Sequence, residues 1–128
     1  MAKVNQFSFD NAEFEQSVAH EGQGNILFSR RMEMNALSGC NFLDMSILPP
    51  GTSIGLHSHD KYDEEIYVVI SGRGRMTVET TSFWVGPGDV IVNPPGGTHG
   101  LENLGTEDLR LVVIDVPYPR SGSRSDPA

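Results

Sequence analysis

The sequence is poor in the features that would place the protein outside the cell or in a membrane. Cys40 is the only cysteine, so no intrachain disulfide can form, and we expect it to be a small buried hydrophobe. The first residues lack the apolar core of a signal peptide. No apolar run approaches the roughly 18 to 20 residues that span a bilayer. The sequence therefore predicts a cytoplasmic protein with no membrane partner.

Basic residues are also scarce. The chain carries 9 Lys and Arg against 17 Asp and Glu, which leaves a formal net charge of -8 and a pI near 4.8. Nucleic-acid binding requires a basic surface, because most of its affinity comes from neutralising phosphates. This charge balance argues against a nucleic-acid partner and against anionic membrane surfaces.

Most of the sequence is typical of short β-strands. The patterns predict strands over 26–30, 41–48, 65–70, 75–80, 82–85, 90–92, 98–102 and 109–116. Many short strands separated by Gly and Pro turns indicate a β-sandwich or barrel. A single β-domain over residues 25–116 follows, with an N-terminal segment over 1–24 and a flexible tail over 117–128. In the N-terminal segment we expect a short edge strand at Phe7 and Phe9 or a helical turn from Asp10 to Val18.

Residues 51–72 contain a potential half of a metal site. His57 and His59 are separated by one residue, and side chains two apart on a strand point to the same face. Glu64 and Glu65 follow just before an apolar stretch. Neutral imidazole is the commonest metal ligand in proteins, and a carboxylate supplies an oxygen donor.

Residues 86–103 offer the other half. A short apolar strand runs into the turn sequence Pro94-Pro95-Gly96-Gly97, and His99 follows directly. Turn residues this dense end one strand and begin the next. A third histidine therefore lies at the start of a new strand, where it can meet the first two.

Together these two segments resemble the motifs of the cupin superfamily, in particular its small single-domain metal-binding members. Gly51, His57 and His59 match the first half of the first motif. The second motif is matched in full by residues 88–103, at Gly88, Pro94, Gly96, His99 and Asn103. The resemblance implies an all-β, single-domain fold, a cupin-type antiparallel β-barrel or jelly-roll-like double-stranded β-helix. Its glycines at positions 51, 72, 88 and 96 are expected in turns, where positive φ costs them little.

The resemblance also implies the ligand set. His57, His59, Glu65 and His99 would hold one divalent transition metal, of which Mn, Fe, Co, Ni, Cu and Zn all suit such donors. Glu64 is the alternative to Glu65, since Glu64 has the motif's spacing from His59 whereas Glu65 has its spacing from Gly72. We favour Glu65, with the extra residue in the loop at 60–63. Asn103 is expected to form hydrogen bonds and not to bind metal.

Three other residues are candidates for a place in or near this site. Tyr67 shares a strand face with Glu65 and is a candidate catalytic group, either as a hydrogen-bond donor or as a general acid; an ordinary barrel-lining aromatic is the alternative. His20 fits no ligand pattern, and we expect a solvated loop histidine. Arg30 alternates with apolar residues, and we expect it on a solvated outer face.

Two functions follow from the resemblance. The first is a metal-dependent enzyme that acts on a sugar, keto acid or biosynthetic intermediate as an isomerase, decarboxylase, cyclase or dioxygenase. The second is a non-catalytic cupin module that binds a metal or a sugar. A small-molecule ligand is common to both. The resemblance also implies a homodimer, and strand 41–48 agrees with it, because that strand carries apolar residues on both faces.

Overall fold

The computed structural model describes residues 6–33 and 39–118, and within them it contains strands, turns and loops but no helix. The all-β prediction is confirmed. The ten strands are β1 (Glu15–Ser17), β2 (Ile26–Glu33), β3 (Phe42–Leu48), β4 (Ser53–Ser58), β5 (Asp63–Ser71), β6 (Gly74–Val78), β7 (Thr81–Val85), β8 (Val90–Asn93), β9 (Thr98–Glu102) and β10 (Leu109–Pro117).

The strands form two sheets. Six strands make one sheet in the order β1-β2-β3-β10-β5-β8, and the other four make a second in the order β4-β9-β6-β7. Every paired strand is antiparallel to its neighbour. An isolated parallel bridge between Ala19 and Ile54 ties the loop after β1 to β4 of the other sheet. The N-terminal segment is thereby attached to both sheets.

The core lies between the two sheets and follows from strand alternation. On β10, alternate residues from Leu109 to Asp115 are buried, while those between them are partly exposed. Successive side chains on a strand point to opposite faces, so one apolar set per strand is directed inward. The largest buried apolar side chains come from both sheets: Leu48, Tyr67, Met76, Leu101, Leu109 and Leu111.

The N-terminal segment differs from expectation. No helical turn forms between Asp10 and Val18, and Phe7 and Phe9 lie outside any strand. Instead β1 pairs with the edge of β2, Glu15 opposite Phe28. So short a segment gains few intrahelical hydrogen bonds against the cost of nucleation, whereas the edge of β2 offers backbone partners.

One strand of the structure was not predicted. This is β4, on which His57 lies.

One predicted segment cannot be compared with the structure. The predicted tail falls outside the described residues from position 119 onward. Among residues 6–33 and 39–118, no helix has the length and apolar character needed to cross a membrane.

The four turn glycines behave as expected. Gly51, Gly72, Gly88 and Gly96 have φ of 80°, 82°, 90° and 73°, in the region that L side chains rarely adopt. Gly72 also has no room for a side chain. A Cβ built there would lie 2.3 Å from the carbonyl oxygen of Asp108, so this turn can pack only with glycine.

Two glycine substitutions separate these effects. Gly51→Ala meets no atom within 4 Å at nearly the same φ, so it should lower the free energy of unfolding by about 1–2 kcal/mol from the left-handed backbone alone. Gly72→Ala adds the clash with Asp108, which we expect to cost a further ~1–3 kcal/mol. Urea unfolding of both variants measures the difference, and equal losses would contradict the packing argument.

Candidate metal centre

The candidate site is built on three strands. On the smaller sheet, β4 and β9 pair so that His57 lies directly opposite His99. His59 follows one residue after the end of β4. Glu65 projects from β5 of the larger sheet, inside the fold and only 4% exposed. The packing of one sheet on the other therefore brings the carboxylate to the three imidazoles.

The four side chains converge through one atom each. The Nε2 atoms of His57 and His59 are 3.0 Å apart, and Glu65 Oε1 lies 3.1 Å from His99 Nε2 and 3.4 Å from His59 Nε2. One ligand atom from each residue lies within 4.8 Å of all the others. Metal–ligand bonds of about 2.0–2.2 Å separate adjacent donors by about 2.9–3.5 Å. This cluster could therefore hold a metal ion with little rearrangement.

The outer nitrogens of two histidines are already engaged. His57 Nδ1–H donates to the carbonyl oxygen of Gly55 at 2.7 Å, and His59 Nδ1–H donates to Asp63 Oδ2 at 3.1 Å. Such bonds fix the tautomer that leaves the Nε2 lone pair for a metal. The donor set thus suits a divalent transition metal.

The electrostatics of the metal-free site follow from burial and mutual contact. Burial lowers the pKa of His57 to about 4, so its ring is neutral. The hydrogen bond with Glu65 raises the pKa of His59 to about 8. Burial alone would raise the pKa of Glu65, but hydrogen bonds from His59 and His99 hold it well below its usual range. Without metal, a proton on His59 compensates the buried carboxylate.

Two aspartates, Asp63 and Asp115, lie beside His59 on the side of its Nδ1 atom. Asp115 Oδ2 is 3.9 Å from His59 Nδ1, and its other oxygen accepts a hydrogen bond from Asn41 at 2.8 Å. Burial and the neighbouring Asp63 raise the pKa of Asp115 to about 7. These two aspartates were not identified from the sequence, because they lie 52 positions apart and meet only through the pairing of β5 with β10.

The two candidate glutamates point in opposite directions. Glu65 is opposite Asp115 on β10 and joins the histidine cluster. Glu64 is opposite Val116, half-buried and outside the cluster. The turn before β5 is closed by hydrogen bonds of Asp60 with Tyr62 and Asp63, in the loop to which we assigned the additional residue.

A cavity of about 270 Å³ opens beside the cluster, with His59 and Glu65 in its wall. Tyr67 also lines it, 1% exposed, with its ring edge-on to that of His99 at 5.5 Å between centroids. Burial and the charge of Glu65 raise the pKa of Tyr67 well above its usual value, so its hydroxyl keeps the proton and can donate a hydrogen bond.

Arg30 is exposed, as expected, but its side chain also lines the same cavity. Its guanidinium donates to both carboxylate oxygens of Asp44, at 2.8 and 2.9 Å, and lies over the ring of Phe42. The register places Arg30 directly opposite the buried Asp44, which brings its side chain beside the cavity. Alternation within β2 alone could not decide which face was inward.

The structure places two further residues. Asn103 donates to the carbonyl oxygens of Leu48 and Glu107 and accepts from the Gly105 N–H, so its expected hydrogen-bonding position is confirmed.

His20 is on an exposed loop as expected, but its ring stacks on that of His57, 3.5 Å between centroids. The sequence did not predict this contact, because His20 belongs to no metal-ligand motif and lies far from His57 along the chain.

Comparison with known proteins agrees with this geometry. A family model for the cupin domain matches residues 44–115. The chain belongs to the cupin family. Over 91% of its length it also superposes on 99% of a crystallised predicted oxalate decarboxylase from Thermotoga maritima, with a TM-score of 0.81 and 25% identity. The expected cupin fold is thereby confirmed.

Curated relatives match this cupin over its central part. An uncharacterized protein of Methanocaldococcus jannaschii is 39% identical over 72 residues, 56% of this chain and 57% of that protein. The oxalate-binding protein of Thermotoga maritima is 36% identical over 69 residues, 54% of this chain and 56% of that protein. The chain thus spans just over half the length of these two relatives.

The neighbouring glutamates provide a matched pair of variants. Glu65→Gln removes the carboxylate from the cluster and should lower the affinity for Zn²⁺ or Mn²⁺ by more than about 100-fold, since even outer partners of metal ligands are worth 10–100-fold. Glu64→Gln removes the same charge from outside the cluster and should stay within roughly twofold of the parent. Competition with a chromophoric chelator measures both. A larger loss in Glu64→Gln would reverse the assignment.

Proposed function

We propose that this cupin is a metal-dependent enzyme that acts on a small oxygen-rich acid. The observation that carries the proposal is the convergence of His57, His59, His99 and Glu65 beside a cavity of about 270 Å³. Two of the four, His59 and Glu65, line that cavity. Four protein donors leave one or two positions open on a metal that prefers five or six ligands. Because His59 and Glu65 line the cavity, a ligand there would lie next to the metal.

The charge of the proposed site favours an anion. A divalent metal would meet only one carboxylate among its four ligands, which leaves the centre with a net positive charge. His59 would then give up its proton, because its Nε2 becomes a ligand. When bound, the metal supplies Lewis-acid polarisation of a carboxylate or carbonyl oxygen. A small mono- or dicarboxylic acid fits both the charge and the size of the cavity.

Two cavity residues complete the proposed site. We assign Tyr67 the role of catalytic hydrogen-bond donor, since its buried hydroxyl keeps its proton and faces the same space as Glu65. Arg30 would bind the distal end of the acid. Its pairing with Asp44 and its contact with Phe42 hold the guanidinium in place, and guanidinium groups suit carboxylates.

Ligand binding without turnover is the second candidate. It is favoured by the relative from Thermotoga maritima, which is called an oxalate-binding protein. A binding protein needs the metal centre and the anion partner, but it does not need a proton donor. Tyr67 therefore separates the two candidates, because Tyr67→Phe should abolish turnover in an enzyme and leave binding almost unchanged in both.

We further propose that the protein is a cytoplasmic homodimer. The outer face of β5 and β8 supports the dimer, since Ile70, Val90 and Val92 are exposed there on neighbouring strands. Exposed apolar surfaces of this kind often mark interfaces. Elution as a monomer in size-exclusion chromatography with light scattering would contradict this part of the proposal.

The metal itself is tested first. Protein purified without a His-tag or chelator should contain close to one transition-metal ion per chain, and His57→Ala and His99→Ala should each lose it, because each removes one of four donors. Elemental analysis measures the content, and thermal unfolding checks that the variants are folded. A parent that contains no metal and binds none of the six candidate ions would refute the proposed function.

The ligand is tested on the metal-loaded parent. Oxalate serves as the probe, with a panel of small keto and hydroxy acids beside it. Binding should appear in calorimetry and should be lost with the metal. Consumption of an acid by the parent but not by Tyr67→Phe would support the enzyme. Binding without consumption across the panel would favour the binding protein.

Metal affinity should depend on pH in a defined direction. The pKa of His59 is raised to about 8, so below that pH the metal must displace a proton. Affinity should therefore fall as pH decreases from 8 to 6, by up to about tenfold per unit, and change little just above pH 8. Chelator competition at several pH values measures this. An affinity that is constant from pH 6 to 8 would contradict it.

A further inference from the structure

We propose that His20 is a positioning residue of the metal centre, which holds the His57 ring by stacking and thereby slows the release of the metal. The inference rests on the proposed metal site and extends it to a residue outside the cupin motifs. The two rings are nearly parallel, at 6° with 3.5 Å between centroids. His20 also lines the cavity together with His59 and Glu65.

The loop that carries His20 is built closely against β4. The carbonyl oxygen of Ala19 accepts hydrogen bonds from Gly55 N–H at 3.0 Å and from Gly22 N–H at 2.9 Å. Two further bonds join Gln23 and Ser53: the Ser53 N–H donates to the Gln23 carbonyl, and the Gln23 N–H donates to Ser53 Oγ. These bonds position the loop without using the side chain of residue 20.

The backbones of this loop and of β4 also approach each other so closely that only glycine fits at two positions, Gly22 and Gly55. A Cβ on Gly55 would lie 2.1 Å from the His20 carbonyl oxygen, and one on Gly22 would lie 2.3 Å from the Ser53 carbonyl oxygen. These contacts and hydrogen bonds hold the loop in a single position against β4. It presents residue 20 to the His57 ring, which lies two positions after Gly55.

The backbone conformation at residue 20 is energetically unfavourable for any residue other than glycine. His20 and Glu21 both have positive φ, 51° and 59°, a conformation that glycine adopts freely and other residues pay for. Strain of this kind persists where the surroundings impose it, and it often accompanies function. Since backbone atoms anchor the loop, the ring at position 20 is explained by what it contacts, which is His57 and the cavity.

The contact has a direct consequence for the metal centre. The Nδ1–H bond to the Gly55 carbonyl fixes one edge of the His57 ring, and stacking fixes its face. A ring held at its edge and its face cannot rotate its Nε2 away from the cluster. Loss of the stack should therefore speed the departure of a bound metal and leave the ligand set itself intact.

Three variants test this in the full chain loaded with Co²⁺, whose visible absorption reports ligand geometry. His20→Gly removes the ring at a backbone position that suits glycine, and His20→Phe keeps a ring that can stack. Glu21→Gly is the matched control, because it relaxes the same loop and leaves the ring in place. Release of Co²⁺ into excess chelator is followed by stopped flow, and thermal unfolding checks that each variant is folded.

We expect His20→Gly to release Co²⁺ roughly fivefold faster, in line with the usual strength of ring stacking, and to change the Co²⁺ spectrum. His20→Phe and Glu21→Gly should match the parent. Release from His20→Gly at the parental rate would overturn the inference, as would a His20→Phe variant as fast as His20→Gly. Failure of the parent to bind Co²⁺ at all is a separate result that contradicts the proposed function itself.

Discussion

The direct pairing of His57 with His99 across β4 and β9 is the constraint on which the site depends. Residues opposite each other on antiparallel strands have Cα atoms about 4.5–5.5 Å apart, so this register alone brings two imidazoles together. A shift of one residue would direct one of them to the other face of the sheet. His59 and Glu65 then complete a cluster whose centre the register has already defined.

The buried cluster imposes an electrostatic requirement on the fold. Glu65 is 4% exposed, and a buried carboxylate is stable only with compensating charge or hydrogen bonds. In the metal-free protein His59 supplies the charge, and His59 and His99 both donate hydrogen bonds to the carboxylate. A divalent cation would supply the same compensation more strongly.

The surroundings of the cluster are organised to hold ring orientation. Gly55 and Asp63 engage the outer nitrogens of His57 and His59, and His20 covers one ring face. The groups come from β4, from β5 and from the loop after β1. The N-terminal segment thus lies against the candidate centre and is attached to β4 through the bridge between Ala19 and Ile54.

Local sequence patterns predicted most of the fold because strand alternation and turn glycines are local properties. The strand at Leu109 to Pro117 and the positive φ of Gly72 needed no knowledge of neighbours. Strand β4, Ser53 to Ser58, was missed although Ile54 and Leu56 alternate with polar residues and glycine, because two apolar residues are a weak local signal. The helical turn predicted over Asp10 to Val18 was wrong because Glu15 to Ser17 pair instead with the edge of β2, which is distant in sequence.

By itself, the sequence determined the family, the all-β class and the histidines of the candidate centre, since spacing along the chain encodes all three. Tertiary structure decided the rest. It brought Glu65 but not Glu64 into the histidine cluster, paired Arg30 with Asp44 beside the cavity, and placed His20 on His57. Each depends on contact between residues far apart in the chain, and such contacts exist only after the two sheets have packed together.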